Sequence, residues 1–227
     1  MRDLTTIDSK QFVQLVQPML EAKDLQGLLT LLKSRWTPPQ IIEFVKGTDP
    51  DAKKVALLAL GLIGEPRCAM ELARELRDPD PMINGMAEHA LWSVWFRGGK
   101  NCQANRQLAR AAEAMSKREF DAALACCDEA IRLDPDFAEA YNQRAIAFYL
   151  QEHFQKSIDD CYRATERMPC HFGAWAGMGH CYAHLGKHTE ALEAYNRALE
   201  INPHLDCVRQ AVAELNGAGP NGTDNAN

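Results

Sequence analysis

The residues with the clearest capacity for chemistry gather in one stretch: Cys170, His171, His180, Cys181, His184 and His188. His180 and His184 stand four apart, so on a helix their rings share one face. Two imidazoles at that spacing make half of a transition-metal site. Helical phase, however, turns Cys181 sideways from the histidines, and no neighbouring carboxylate is placed to orient the rings. Cys127 and Cys161 fall within apolar helical patterns and read as core thiols. The sequence has no GxxxxGK[ST], no G-x-S-x-G, no H-E-x-x-H and no paired C-x-x-C. No reaction and no cofactor are therefore expected. A metal- or redox-responsive module centred on His180 and His184 is the alternative to a binding role.

The elements that carry these residues are set by repeats. Pro135, Pro169 and Pro203 are equally spaced along the chain. Before each proline the pattern recurs: Ala130 to Asp134, Ala164 to Met168, Ala198 to Asn202. A small residue, Ala123, Ser157 or Ala191, precedes each of those alanines by seven positions. Tyr141 and Trp175 open the later two units, Phe148 and Tyr182 follow, and Ala145 and Gly179 stand between them. Small residues let two helices cross closely, and the aromatics fill the space alongside. Each proline ends a helix, because the residue before it avoids α geometry. Leu185-Gly186-Lys187-His188 reads as the turn inside the third unit.

A 34-residue helix-turn-helix period with this small/large pattern resembles the tetratricopeptide repeat (TPR) over about residues 104–205. The first unit is degenerate, with Gln107 and Ala114 in place of its aromatics. Upstream, Asp49-Pro50 and Asp80-Pro81 are 31 residues apart, and Ala56, Ala59 and Leu60 align with Ala87, Ala90 and Leu91. That stretch resembles a HEAT-type repeat over about residues 18–97, capped by a leading helix near Ser9–Ala22. Arg97-Gly98-Gly99-Lys100 reads as a linker. The expected architecture is an all-α solenoid: a HEAT-like domain (1–99), then three TPR units with a capping helix from Asp206 to Leu215 (100–217). Residues 218–227, rich in Gly and Asn, are expected to be a disordered tail.

The TPR resemblance implies that the first helices line a concave groove. Its phase puts Leu108, Ala112 and Met115 there from the first unit and Asn142, Gln143, Ile146 and Tyr149 from the second. The third unit adds Ala176, Gly177, His180 and His184. Leu108, Met115, Asn142, Gln143, Ile146, Tyr149, His180 and His184 are the expected partner contacts, and Arg144 is left outside the groove. The carboxylate clamp of TPR co-chaperones is not matched. Gln143 stands at its Asn position, and Gly173 and Gly177 stand at its basic positions.

Composition narrows the partner further. The 227 residues are 46% apolar and 25% charged, with a net charge of −6. There are 12 basic and 13 acidic residues before Lys100 and 13 and 18 from there on, so neither half suits nucleic acid. No apolar run reaches the roughly 20 residues that span a bilayer, and the first residues lack the apolar core of a secretory signal. The expectation is a cytoplasmic interaction adaptor or scaffold that binds a peptide or amphipathic helix of another protein.

Overall fold

Short polar residues start the first helices by accepting backbone N–H groups that have no partner inside the helix. Asp8 caps α1 (Ser9–Glu21), and Asp24 caps α2 (Leu25–Arg35) by accepting from the Gly27 amide at 2.8 Å. Thr37 precedes α3 (Pro38–Val45), whose two leading prolines fit the first turn, where their missing N–H costs nothing. The two Asp-Pro pairs do the same for α4 (Pro50–Ile63) and α6 (Pro81–Phe96). Between those two lie a short 3-10 turn (Pro66–Cys68) and α5 (Ala69–Glu75). The upstream period is thus the distance between two helix starts.

The computed structural model describes residues 8–217, which are helical, with no strand among them. Among the described residues no helix is long and apolar enough to cross a membrane. The expected tail, 218–227, lies outside the described residues. The chain divides after Arg97 into two compact bodies.

In the N-terminal body Phe12 stacks on Phe44 at 4.3 Å and meets Trp36 edge-on at 5.0 Å. Leu32, Ile41, Leu57, Leu60, Leu72 and Leu91 are fully buried in the same body. Trp95, 2% exposed, packs edge-on to Trp92 at 5.1 Å. Gly61 lies at the α4–α6 crossing, where a Cβ would stand 3.6 Å from the Ala90 Cα. Ser9 Oγ donates to Asp49 Oδ2 at 2.8 Å, which sets the start of α1 beside the start of α4.

The C-terminal body is three helix pairs and a cover. The pairs are α7 (Cys102–Ser116) with α8 (Phe120–Leu133), α9 (Ala138–Leu150) with α10 (Phe154–Arg167), and α11 (Phe172–His184) with α12 (His188–Ile201). Helix α13 (Asp206–Gly217) covers the end, with Val208 buried against Ala191 and Tyr195. Each pair turns on one left-handed residue, at the same repeat position each time: Arg118 (φ 60°), Glu152 (φ 62°) and Gly186 (φ 71°). Only the third repeat uses the residue type that adopts this conformation without strain.

The pairs close by volume matching. The first two repeats carry Ala111 with Cys127 and Ala145 with Cys161; the third carries Gly179 with Tyr195. A Cβ on Gly179 would lie 2.4 Å from the Tyr195 ring, so the glycine is the notch that the tyrosine fills. Arg144 crosses the second pair, gripping Asp160 through Nε (2.6 Å) and a terminal nitrogen (2.7 Å) and reaching Asp128 at 2.6 Å.

Candidate partner-binding groove

Helices α7, α9 and α11 pack on one another in sequence, while α8, α10 and α12 stand behind them. The face of the first helices is therefore the inner one. On it, α9 and α11 leave a pocket of ≈ 240 Å³. Asn142, Ala145, Ile146 and Tyr149 line it from α9, and Gly173, Ala176, Gly177 and His180 line it from α11. Ser157 and Cys161 of α10 complete it. No charged side chain lines this pocket. Gly173, Ala176 and Gly177 keep the α11 wall thin, which is what opens the slot.

Beneath the pocket lies a polar network. Glu139, on the first turn of α9, is completely buried. Asn142 Nδ2 stands 3.3 Å from each of its oxygens, and Gln143 Nε2 donates to Oε1 at 2.7 Å. His171 Nε2 stands 2.7 Å from Oε2. The Ala174 amide donates to His171 Nδ1 at 3.1 Å, so the ring proton belongs on Nε2, facing Glu139. One carboxylate thus ties the start of α9 to the start of α11, using groups that hold it as donors.

The rim is aromatic. The Tyr149 hydroxyl stands 2.9 Å from His184 Nε2, and the His184 ring stacks on Phe154 at 4.8 Å. The Tyr195 hydroxyl stands 2.8 Å from His180 Nδ1. Burial, helped by the charge of His184, holds the His180 pKa below the ordinary 6.5. The thiols move the other way. Burial pushes Cys127 up to about 12 and Cys170 up to about 11, and raises Cys161 as well. Protonated thiols are poor ligands and poor nucleophiles. Among the described residues no three His, Cys, Asp or Glu side chains gather to hold a metal ion. Nothing in this geometry supports the metal or redox alternative.

Of the eight expected contacts, the pocket brings together Asn142, Ile146, Tyr149 and His180. His184 stands at the rim through Tyr149. Met115 is half-buried on α7, away from the pocket. Leu108 requires correction: it is 0% exposed and offers no surface to a partner. Asn142 and Gln143 are also revised. They are 2% and 8% exposed and spend amide hydrogens on Glu139, so they build the groove more than they face a partner. Sequence reasoning missed Glu139, Phe154, Ser157 and Cys161. Glu139 had a signal, because it precedes Asn142 and Gln143 by three and four positions on one helix face.

Helix pairs repeating at one constant step, with first helices inward and a terminal cover, define a TPR solenoid. The chain belongs to the tetratricopeptide repeat family. Family models described as "TPR repeat" and "Tetratricopeptide repeat" match residues 115–152 and 173–205. A TPR repeat-containing protein of Rhizobium etli is 35% identical over 145 residues, covering 64% of this chain and 69% of that protein. The small glutamine-rich tetratricopeptide repeat-containing protein 2 of Mycosarcoma maydis is 29% identical over 111 residues, which span 49% of this chain and 32% of that protein. Among solved structures, the first TPR of Spaghetti (RPAP3) bound to HSP90 peptide SRMEEVD shares the fold with a TM-score of 0.52 at 21% identity. That match covers 53% of this chain and 95% of the other. The Sgt2 TPR domain of Aspergillus fumigatus gives 0.51 at 18% identity, over 57% of this chain and 91% of that one.

Proposed function

We propose that the C-terminal body is a protein-interaction adaptor that holds a peptide, or one face of an amphipathic helix, in the groove between α9 and α11. Ile146, Tyr149 and His180 are its contacts, and the slot beside Ala176 and Gly177 receives an apolar side chain. The observation that carries this reading is the pocket itself: concave, apolar, uncharged, and formed by the inward helices of the solenoid. Ile146, at 38% exposed, offers free apolar area at its edge. Asn142, Gln143 and Glu139 hold the two walls in register, and His184 fixes Tyr149. Leu108 and Met115 support the face from the first pair.

The uncharged lining also selects. A partner ending in acidic residues and a free carboxylate, such as the HSP90 peptide bound by Spaghetti, would meet no cation in this pocket. The preferred ligand is therefore an internal apolar segment rather than an acidic C-terminus. The N-terminal body, with its two Asp-Pro helix starts one period apart and a close α4–α6 crossing, is taken as a HEAT-type array. The role is assigned to the cytoplasm, where buried, unpaired cysteines are stable as thiols.

Affinity capture with quantitative mass spectrometry tests the groove. Ile146→Glu puts a charge at the rim, and Gly177→Leu fills the slot from a position where a Cβ meets only Cys161 Sγ, at 3.4 Å. Both variants should lose the same partners while keeping wild-type helix content. Glu193→Ala, at an exposed position on α12, should keep them. Partner sets unchanged in both groove variants would contradict the assignment.

A further inference from the structure

A larger cavity lies in the other body. It is an open cleft of ≈ 690 Å³. Leu57, Leu58 and Leu62 of α4 form its floor, and α2 and α6, each packed on α4, form its walls. Leu25 and Met82 stand on its rims at 56% and 59% exposed.

Two further observations indicate what it takes. The first is Gly85, within α6 and lining the cleft. Glycine is among the poorest helix formers, yet a Cβ here would meet nothing within 4 Å. The fold itself gives no steric reason for the glycine. What it does is leave the α6 backbone bare toward the cleft, so that another backbone can approach closely.

The second observation is charge. Lys23 and Arg97 line the cleft, and neither has a carboxylate within ion-pair reach among the described residues. The single acid in the lining, Asp24, is occupied in capping α2. Burial lowers the Arg97 pKa with no acid offsetting it. Both cations stand at the same end. Helix α1 starts beside the start of α4, and Gly61 and Gly64 of α4 face Ala90 and Val94 of α6, so α1, α4 and α6 run the same way. Lys23 and Arg97 follow the ends of α1 and α6.

We infer that this cleft is a second docking site, for an acidic amphipathic helix of a partner protein. Its apolar face would lie over Leu58, Leu62 and Met86, its backbone would approach α6 at Gly85, and its carboxylates would meet Lys23 and Arg97. From Met82 to Arg97 the wall is about 22 Å long, the length of a helix of about 15 residues. The site is separate from the groove of the TPR repeats and does not depend on that assignment.

The test uses the full chain and two fluorescein-labelled peptides of that length, read by fluorescence anisotropy. Both carry leucine at helical i, i+3, i+4 and i+7 spacing; one has glutamate on its flanks and the other lysine. The glutamate helix should bind at least about tenfold tighter than the lysine helix. Lys23→Glu with Arg97→Glu should reverse that order. Gly85→Leu should weaken the glutamate helix about tenfold or more without lowering the melting temperature, and Ile146→Glu should leave it unchanged. Equal binding of the two peptides, or full binding by Gly85→Leu, would overturn the inference. So would loss of binding in Ile146→Glu, which would place the probe in the TPR groove. If fluorescent dodecanoate binds and neither helix does, the occupant is an acyl chain and the helix assignment falls.

Discussion

The two bodies are built from the same element and stabilised differently. Among the described residues, all nine buried polar or charged ones lie after Arg97: Asp134, Glu139, Asn142, Gln143, Ser157, Asp160, Thr165, His171 and Asn202. Before it, the fully buried set is apolar, built on Leu, Ile, Ala and aromatics. An apolar core is fixed by shape and volume, without the directional geometry of a hydrogen bond. A buried carboxylate adds that geometry, because its donors must meet it within a few tenths of an ångström. Glu139 joins α9 to α11, and Arg144 joins α9 to α8 and α10, so each fixes neighbouring helices in register. The lesson is that the body with the shaped pocket pins its helices through buried polar links, whereas the body with the open cleft has an apolar buried core and keeps its polar links, Ser9 with Asp49 and Lys53 with Glu75 and Asp78, partly exposed.

If that contrast is right, the bodies should break in different ways. The largest loss should come from Arg144→Ala, which strips the bidentate partner from Asp160, itself only 4% exposed. Chemical denaturation should show a cost of about 3–5 kcal/mol. Replacing both with leucine should recover much of it, because the penalty comes from the stranded charge. Trp95→Ala should cost a comparable amount, about 3–5 kcal/mol, by the cavity it leaves. There a smaller aromatic should restore stability in proportion to its volume. A polar-specific response at Trp95, or a volume-specific one at Arg144, would remove the distinction.

Gly179→Ala comes next, at about 1–3 kcal/mol, because its Cβ collides with the Tyr195 ring. Adding Tyr195→Cys recreates the Ala145–Cys161 pair of the repeat before and should suppress the loss. Failure of that rescue in thermal melts would show that the repeats are not interchangeable in the way their spacing implies.

The smallest effect is that of pH. The folded His180 pKa lies below its ordinary 6.5, so its contribution to stability is complete above that pH and is lost as the pH falls through the lowered value. Stability measured from pH 7.5 to 5 should decline in the wild type and flatten in His180→Gln. An identical slope in both would exclude His180 as the cause.

Much of the fold was legible because its signals are local and periodic. The proline step located the helix pairs, the Gly179 crossing and the turn at Gly186, and the Asp-Pro step located the starts of α4 and α6. The site was legible only in part. Repeat phase found Ile146, Tyr149, Ala176, Gly177 and His180, since an inward position follows from helix geometry. It misjudged Leu108, because phase gives a direction but not how closely neighbouring helices cover it, and here they leave it 0% exposed. It could not pair Glu139 with His171, far apart in sequence, as no period marks that contact. The N-terminal cleft was invisible for a related reason: a cavity is defined by what is missing around Gly85, and sequence records only what is present.

The groove assignment is tested most directly by photo-crosslinking with benzophenone-alanine in place of Ile146, at the pocket edge, and separately in place of Glu193 on α12, in the cells that make the protein. Light should produce a discrete heavier adduct from position 146, abolished by adding Gly177→Leu, and none from position 193. An adduct from position 193 with none from position 146 would place the partner on the outward helices and contradict the account.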